Sequence, residues 1–317
     1  MVRYQFATDV NAYIEQMRSH VKQSTIKDKE RKLRLICKNF TTLYQEGKVS
    51  SNNPRKIGRD DIIAYIGYRR LMGISESTIS KDLGQLNQLF IWVGNHEIET
   101  FRAFGGVYRP HAYTGRKQPM SDEIIGKVFA LARETDEWGV MIGCMATILC
   151  CSCGLRPQEA HQLYADDIIM MADRSIVHIE HVKGEGVWGE PRSVLAIDGA
   201  DDILRKYLDM RSEVLREHGI KTRSMFPPLR GGSEFCSQQS FGRFKKKVED
   251  IIGMKYELRS GRRAYGQRLL DKGNLIEDVS VTMGHASTKT TEGYYARGRE
   301  DVVMSRILSN ERAKGVN

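Results

Sequence analysis

The chain has 317 residues, 40% of them hydrophobic, enough to bury ordinary cores in about two domains and too many for a disordered polyelectrolyte. No apolar run reaches the roughly 18 residues a membrane-spanning helix needs, and no secretory-leader pattern opens the chain, so the expected location is the cytoplasm, on the nucleoid. The 49 Lys and Arg outnumber the 40 Asp and Glu, and the resulting +9 suits a polyanion such as nucleic acid, because each phosphate contact releases counterions.

Residues 8–100 read as amphipathic helices. "TDVNAYIEQMRSHV" has a polar start and apolar residues at helical spacing, and "STIKDKERKLRLICKNFTTLYQEG" stops on glycine. "RDDIIAYIGYRRLMG" and "SESTISKDLGQLNQLFIWVG" repeat that plan, with Ser75 or Ser77 as the cap of the second. Over residues 1–105, 17 Lys and Arg against 11 Asp and Glu leave +6. This stretch is expected to be a helical domain that grips DNA by its backbone, with Arg69, Arg70 and Lys81 as contacts. A solvated bundle is the plainer alternative.

Residues 106–119, from "FRAFGGVYRPHAYTGRKQP", lack an apolar face and read as a basic linker that adds Arg116 and Lys117 to the DNA contacts. A second domain is expected over 120–298. Its first helix starts behind Ser121, and "EWGVMIGCMATILCCSCG" is a buried helix ending at Gly154. Of the six cysteines, Cys150 and Cys153 have CxxC spacing, but no second pair follows at zinc-site spacing. Together with Cys37, Cys144, Cys151 and Cys236 they read as small hydrophobic residues with reduced thiols.

"DRSIVHIEHVKGEGVWGEPRSVLAI" predicts a β-hairpin near 174–197. Helices then resume through "DDILRKYLDMRSEVLREHG", "SQQSFGRFKKKVEDIIG", "RRAYGQRLLDKG" and "LIEDVSVTMG", and residues 299–317 form a short amphipathic helix and polar tail. The fold class is therefore mainly α with a small antiparallel hairpin or sheet, an α+β protein.

Four pieces of the second domain carry residues fit to handle a phosphodiester: Arg156 in "CGLRPQEA", Lys183 at the hairpin bend, Arg259 and Arg262 in "RSGRRAYGQRLLDKG", and His285 with Tyr294 and Tyr295 in "MGHASTKTTEGYY". Singly, each has a bland reading. An arginine after "GL" ends helices, a hairpin lysine is surface, His285 caps a helix, and a tyrosine packs.

Their order is more specific. An arginine box, a hairpin lysine, a basic residue then xx-Arg, Gly-His, and a tyrosine nine residues after the histidine resemble the catalytic domain of the tyrosine recombinases, the phage integrase and Xer-like family. "SESTISKDLGQLNQLFIWVG" is similar to the last helix of that family's core-binding domain. The resemblance covers roughly residues 10–300 and implies a two-domain, C-shaped DNA clamp.

The resemblance also implies roles. Arg156 and Arg262 would hold the two non-bridging oxygens of the scissile phosphate, Lys183 would protonate the leaving 5′-oxygen, and His285 would donate a hydrogen bond to the phosphate. Tyr294 would form a 3′-phosphotyrosyl bond, Tyr295 would pack or touch DNA, and Glu159 with one of Asp166 and Asp167 would support the arginine from behind. No cofactor, metal or ATP is required. The partners implied are duplex DNA with inverted half-sites, a homodimer that becomes a homotetramer on DNA, and accessory DNA-bending proteins.

One position departs from the pattern. Where the family most often has histidine, three residues before the second arginine, this chain has Arg259, as archaeal-type variants with a basic residue there do. Arginine keeps its proton, so it can lower the phenol's pKa but cannot act as its general base. Two rivals stand beside the recombinase: a type IB topoisomerase-like nicking and closing enzyme, and a relative that binds DNA without cutting. The apolar residues of "DVVMSRIL" could close their own subunit's core or dock on a neighbour.

Overall fold

Serine caps and glycine stops set several helix boundaries in the computed structural model, which describes residues 5–21, 23–104, 106–110, 117–182, 189–229, 233–285 and 287–294, with Met304 and Leu308. The chain divides into two units, Met1–Gly115 and Arg116–Asn317. Among the described residues, no helix is long and apolar enough to cross a membrane.

The first unit is built from five helices among its described residues: α1 (Gln5–Met17), α2 (Gln23–Gln45), α3 (Arg59–Leu71), α4 (Glu76–Trp92) and α5 (Glu97–Phe104). Ser75 is the cap of α4, where its Oγ accepts from the Thr78 N–H, and it is Ser75 rather than Ser77 that does so. Phe6, Leu33, Phe40, Tyr65, Leu86 and Phe90 interlock as the core, with Phe40 stacked on Tyr65 at 4.8 Å between ring centroids. Helix α5 is an additional helix between those read from the sequence and the linker over 106–119. It forms because Asn95 Oδ1 accepts from the Glu97 N–H at its start, and Ile98 and Phe101 bury themselves in the core.

In the second unit, α6 (Asp122–Glu134) starts behind Ser121, whose Oγ accepts from the Ile124 N–H. The apolar helix α7 (Trp138–Ser152) is buried from Val140 onward and runs through the core, flanked by α6, α10 (Gln238–Ile252) and α11 (Leu258–Asp271). Its three cysteines and Cys153 just after it lie inside this core, and burial pushes the Cys144 thiol up to about 12, which keeps it protonated and inert. The remaining helices are α8 (Pro157–His161), α9 (Asp201–Glu217), α12 (Ile276–Met283) and α13 (Thr288–Tyr294).

The predicted hairpin is present as β2 (Ser175–Ile179) and β3 (Arg192–Leu195), paired antiparallel with Val177 opposite Val194. A third strand, β1 (Ile168–Met170), joins on the other side of β2 to give the order β1-β2-β3. Three residues are too few for a two-residue alternation to announce a strand. The fold is mainly α with one small antiparallel sheet, as expected.

Two of the expected DNA contacts in the first unit have other work. Arg69 is buried, and its Nη2 donates to Asp82 at 2.7 Å, inside the bundle rather than toward a phosphate. Arg69 and Arg70 are neighbours in sequence, but a helix turns consecutive side chains to different faces. Arg70 does reach the surface, where a two-point pair with Glu76 neutralises it. Lys81 and Lys117 are exposed, and Arg116 lies outside the described residues.

Removing Arg69 strands the Asp82 carboxylate in the core, a loss of about 3 to 5 kcal/mol. Arg69→Met is expected to lower the melting temperature while the salt dependence of DNA binding stays put. An unchanged melting temperature with a shallower salt dependence would instead return Arg69 to the phosphate contacts.

Candidate active site

The sequence "GLRPQEA" folds as it does for local reasons. After α7 the backbone turns at Gly154 with φ +67°, and a Cβ there would lie 2.4 Å from the Tyr265 ring of α11, so only glycine fits. Pro157 occupies the first turn of α8, where its missing N–H is no loss, and Glu159 reaches back to accept from the Arg156 N–H at 2.8 Å. That capping contact brings the Glu159 carboxylate under Arg156, whose Nη1 donates to Oε1 at 2.6 Å.

Glu159 is 2% exposed, which is far too buried for a lone carboxylate. Arg192, the first residue of β3, clasps both its oxygens, Nη2 to Oε2 at 2.8 Å and Nη1 to Oε1 at 3.3 Å. Arg262, from α11, approaches Oε2 at 3.8 Å. Burial by itself would raise the Glu159 carboxyl, but Arg192, Arg156 and Arg262 outweigh it and hold the group below its ordinary range.

The same three guanidiniums also gather the end of α12. Arg192 Nε donates to the Thr282 carbonyl at 3.1 Å, Arg262 Nη2 to the Met283 carbonyl, and Arg156 Nη2 to the Gly284 carbonyl at 3.0 Å. The last carbonyls of a helix have no intrahelical partner and carry the negative end of its dipole, so cations are favoured there. Gly284 turns with φ +60°, and a Cβ on it would come within 3.0 Å of Arg192, so the turn closes over the arginine only as glycine. With three arginines and one carboxylate, the cluster keeps an excess of positive charge. Arg156 has the most open side chain, at 22% exposed against 9% for Arg192 and 6% for Arg262.

His285 follows directly. Arg262 Nη2 lies 3.3 Å from its Nε2, and its Nδ1 lies 2.9 Å from Oγ1 of Thr291, a fully buried residue of α13. Arginine can only donate, so Nε2 accepts and the ring proton is on Nδ1, donated to Thr291. Burial, and after it the charges of Arg262, Arg156 and Arg192, push His285 down to about 3, so the ring is neutral. Thr291 thereby ties the histidine to the helix that ends at Tyr294.

Arg156, Arg262 and His285, far apart in sequence, thus meet in one pocket. Arg259 is exposed on the first turn of α11, one turn before Arg262. Neither Asp166 nor Asp167 supports Arg156, which corrects that expectation. Asp167 accepts from the Tyr164 N–H and closes the turn into β1, while Asp166 pairs with Arg223. The carboxylate behind the arginine is that of Glu159. Lys183 and Tyr295 lie outside the described residues, Tyr294 is placed as the last residue of α13, and among residues 299–317 only Met304 and Leu308 are described.

Two members of the pocket escaped sequence reasoning, Arg192 and Thr291. Arg192 left a trace: in "PRSVLAI" it shares a strand face with Val194 and Ala196, both buried, where a charge needs a reason. Thr291 left none, because its partner lies across a turn.

The low pKa of His285 has a sign that can be tested. An unfolded chain takes up a proton on this residue near pH 6.5 and the folded chain does not, so stability falls as pH drops from there toward 3. His285→Asn is expected to flatten the fall in melting temperature between about pH 7 and 5, above the window in which Glu159 contributes. An identical slope in the variant would mean that the ring is protonated in the fold.

Comparison with known proteins supplies the family. The model of the phage integrase family matches residues 131–300, more than half of the chain. A tyrosine recombinase XerD of Listeria monocytogenes serotype 4b is 22% identical over 273 residues, 86% of this chain and 87% of the relative. A tyrosine recombinase XerC of Herpetosiphon aurantiacus is 22% identical over 252 residues, 75% of each chain. Among solved structures, the fold resembles the XerH site-specific recombinase bound to palindromic difH substrate, with TM-score 0.67 at 15% identity over 96% of this chain and 85% of that one. It also resembles a lambda integrase dimer bound to a COC′ core site, with TM-score 0.61 at 17% identity over 92% and 77%. With its arginine pocket, its one small sheet and this family match, the chain belongs to the phage integrase family, the tyrosine site-specific recombinases.

Proposed function

We propose that the chain cuts and rejoins duplex DNA with Tyr294 as nucleophile. The observation that carries this reading is the convergence of Arg156, Arg262 and His285 on one cationic pocket, linked through Thr291 to the helix that bears Tyr294. The Tyr294 phenol gives its proton to solvent, its oxygen attacks the scissile phosphorus, the bond to the 5′-oxygen breaks, and Lys183 gives that oxygen its proton. The 3′-phosphotyrosyl bond stores the energy of the broken linkage, so religation needs no ATP.

Arg156 and Arg262 take the two non-bridging oxygens. Their forks stay charged at any working pH and match the geometry of a phosphate, and they stabilise the charge that builds on the pentacoordinate phosphorus. A phosphate entering beside His285 places negative charge against the ring, which raises its pKa and allows Nε2 to donate. Arg259 keeps its proton and assists the phenol through its charge alone.

In this reading the first unit grips the DNA backbone, with exposed Lys81 among its contacts, and the two units close on the duplex as a clamp. Two subunits bind inverted half-sites and four exchange strands, with bending proteins as accessories, on DNA of the nucleoid. That the XerD and XerC relatives are tyrosine recombinases, and that the lambda integrase sits on its core site as a dimer, supports this reading.

Duplex DNA from the gene's flanks, nicked so that the cut fragment diffuses away, should yield a covalent adduct in EDTA. The adduct is expected at Tyr294, absent from Tyr294→Phe and retained by Tyr295→Phe. Binding without an adduct points to a non-cleaving relative, and relaxation of unrelated plasmids by a monomer points to a topoisomerase-like enzyme.

A further inference from the structure

Arg192 has no part in the phosphoryl transfer set out above, yet it makes more contacts within the pocket than a bystander would. We propose that Arg192 is a positioning residue of the phosphate pocket, holding Glu159 and the end of α12 together so that Arg156, Arg262 and His285 face one phosphate. The role rests on the reading under Proposed function.

The geometry is specific to arginine. One guanidinium spans both oxygens of Glu159 and, through Nε, the Thr282 carbonyl, so it joins β3, α8 and the end of α12 at a single point. A lysine offers its three donors from a single nitrogen and lacks the planar fork that spans the carboxylate and the carbonyl together. From Glu159 the order passes to Arg156, which the carboxylate holds through both its backbone N–H and its Nη1. From Thr282 it passes along two residues to the Gly284 turn, which lies directly on the Arg192 side chain, and then to His285. Arg192 is nearly buried, and each of its three nitrogens donates to one of these partners. It therefore acts through other residues and does not touch the substrate.

The charges make the proposal testable apart from cleavage. Glu159 faces Arg156 on its own helix, Arg192 on β3, Arg262 on α11 and His285 after α12, of which only the arginines are charged at neutral pH. Arg192 is foremost among the groups that hold the carboxyl down against burial. Without it the Glu159 carboxyl rises, and its protonation releases Arg156.

The experiment uses the full chain and the nicked duplex, with Arg192→Met, Arg192→Lys and Arg192→Gln. Adduct formation is expected to slow about 100-fold in Arg192→Met and about 10-fold in Arg192→Lys, with DNA affinity within about threefold of the parent, a loss in the chemical step rather than in binding. The pH profile of Arg192→Met should gain an acid limb that the parent lacks. Carbon-13 NMR of the Glu159 carboxyl, on protein without DNA, should show that limb's pKa rising in the Met variant and partly restored in the Lys variant. Should Arg192→Met fail to fold, Arg192→Gln serves the same comparison, since it keeps one hydrogen bond and loses the charge.

Adduct formation at the parental rate in Arg192→Met would overturn the role, as would a Glu159 titration that ignores Arg192. Arg192→Lys at the parental rate would also overturn it, because charge alone would then suffice. If the parent itself forms no adduct, the reading of the site as a strand-cutting and rejoining pocket fails, and the Glu159 titration still decides whether Arg192 orders the arginines.

Discussion

The buried carboxylate of Glu159 determines where three guanidiniums point. Placed alone in the core it would be costly, and placed with a single arginine it would cancel the charge a phosphate needs. Surrounded by Arg156, Arg192 and Arg262 it is ionised and fully used, and the excess of cation remains for an anion from outside. The carbonyls at the end of α12 complete the arrangement by taking one bond from each arginine. The guanidiniums are thus aimed before any substrate arrives, which is the preorganisation that makes electrostatic stabilisation effective.

The rest of the second unit serves that cluster. The buried helix α7 has no polar face because α6, α10 and α11 cover it, and its rigid end delivers the Gly154 turn and Arg156. The small sheet delivers Arg192, and the Gly284 turn folds over it. Arg262 adds a link by donating to the Gly154 carbonyl, so the ends of α7 and α12 are joined through one side chain. Packing places the arginines to within a hydrogen bond, and the hydrogen bonds hold the ends of the helices that carry them.

Much of this was legible in the chain itself. Helix starts at Ser75 and Ser121 follow from local capping, and the hairpin follows from two β-rich runs around a glycine-rich bend. Arg156, Arg262 and His285 were legible as an ordered set of boxes, and Glu159 as a carboxylate one turn from its arginine. What stayed hidden depends on contacts between distant segments. Arg69 and Arg70 are neighbours in sequence, yet one is buried on Asp82 and the other faces water, which only the packing of α3 on α4 decides. The resemblance implied that one of Asp166 and Asp167 supports Arg156, while the turn into β1 carries them to other partners. Arg192 belongs to the pocket through Glu159 and the end of α12, and its one local trace is a charge on a buried strand face; Thr291 belongs to it across a turn, for which a single sequence has no local signal.

The central claim is that Arg156 and Arg262 work by neutralising the charge of the scissile phosphate. Cleavage of a duplex with a neutral methylphosphonate at that position measures this directly. Arg156→Ala and Arg262→Ala should be severely slowed on the ordinary phosphate and regain much of their rate on the methylphosphonate, where the non-bridging charge is gone. Variants that stay equally slow on both substrates would contradict the account, and would show that the arginines are needed for something other than charge.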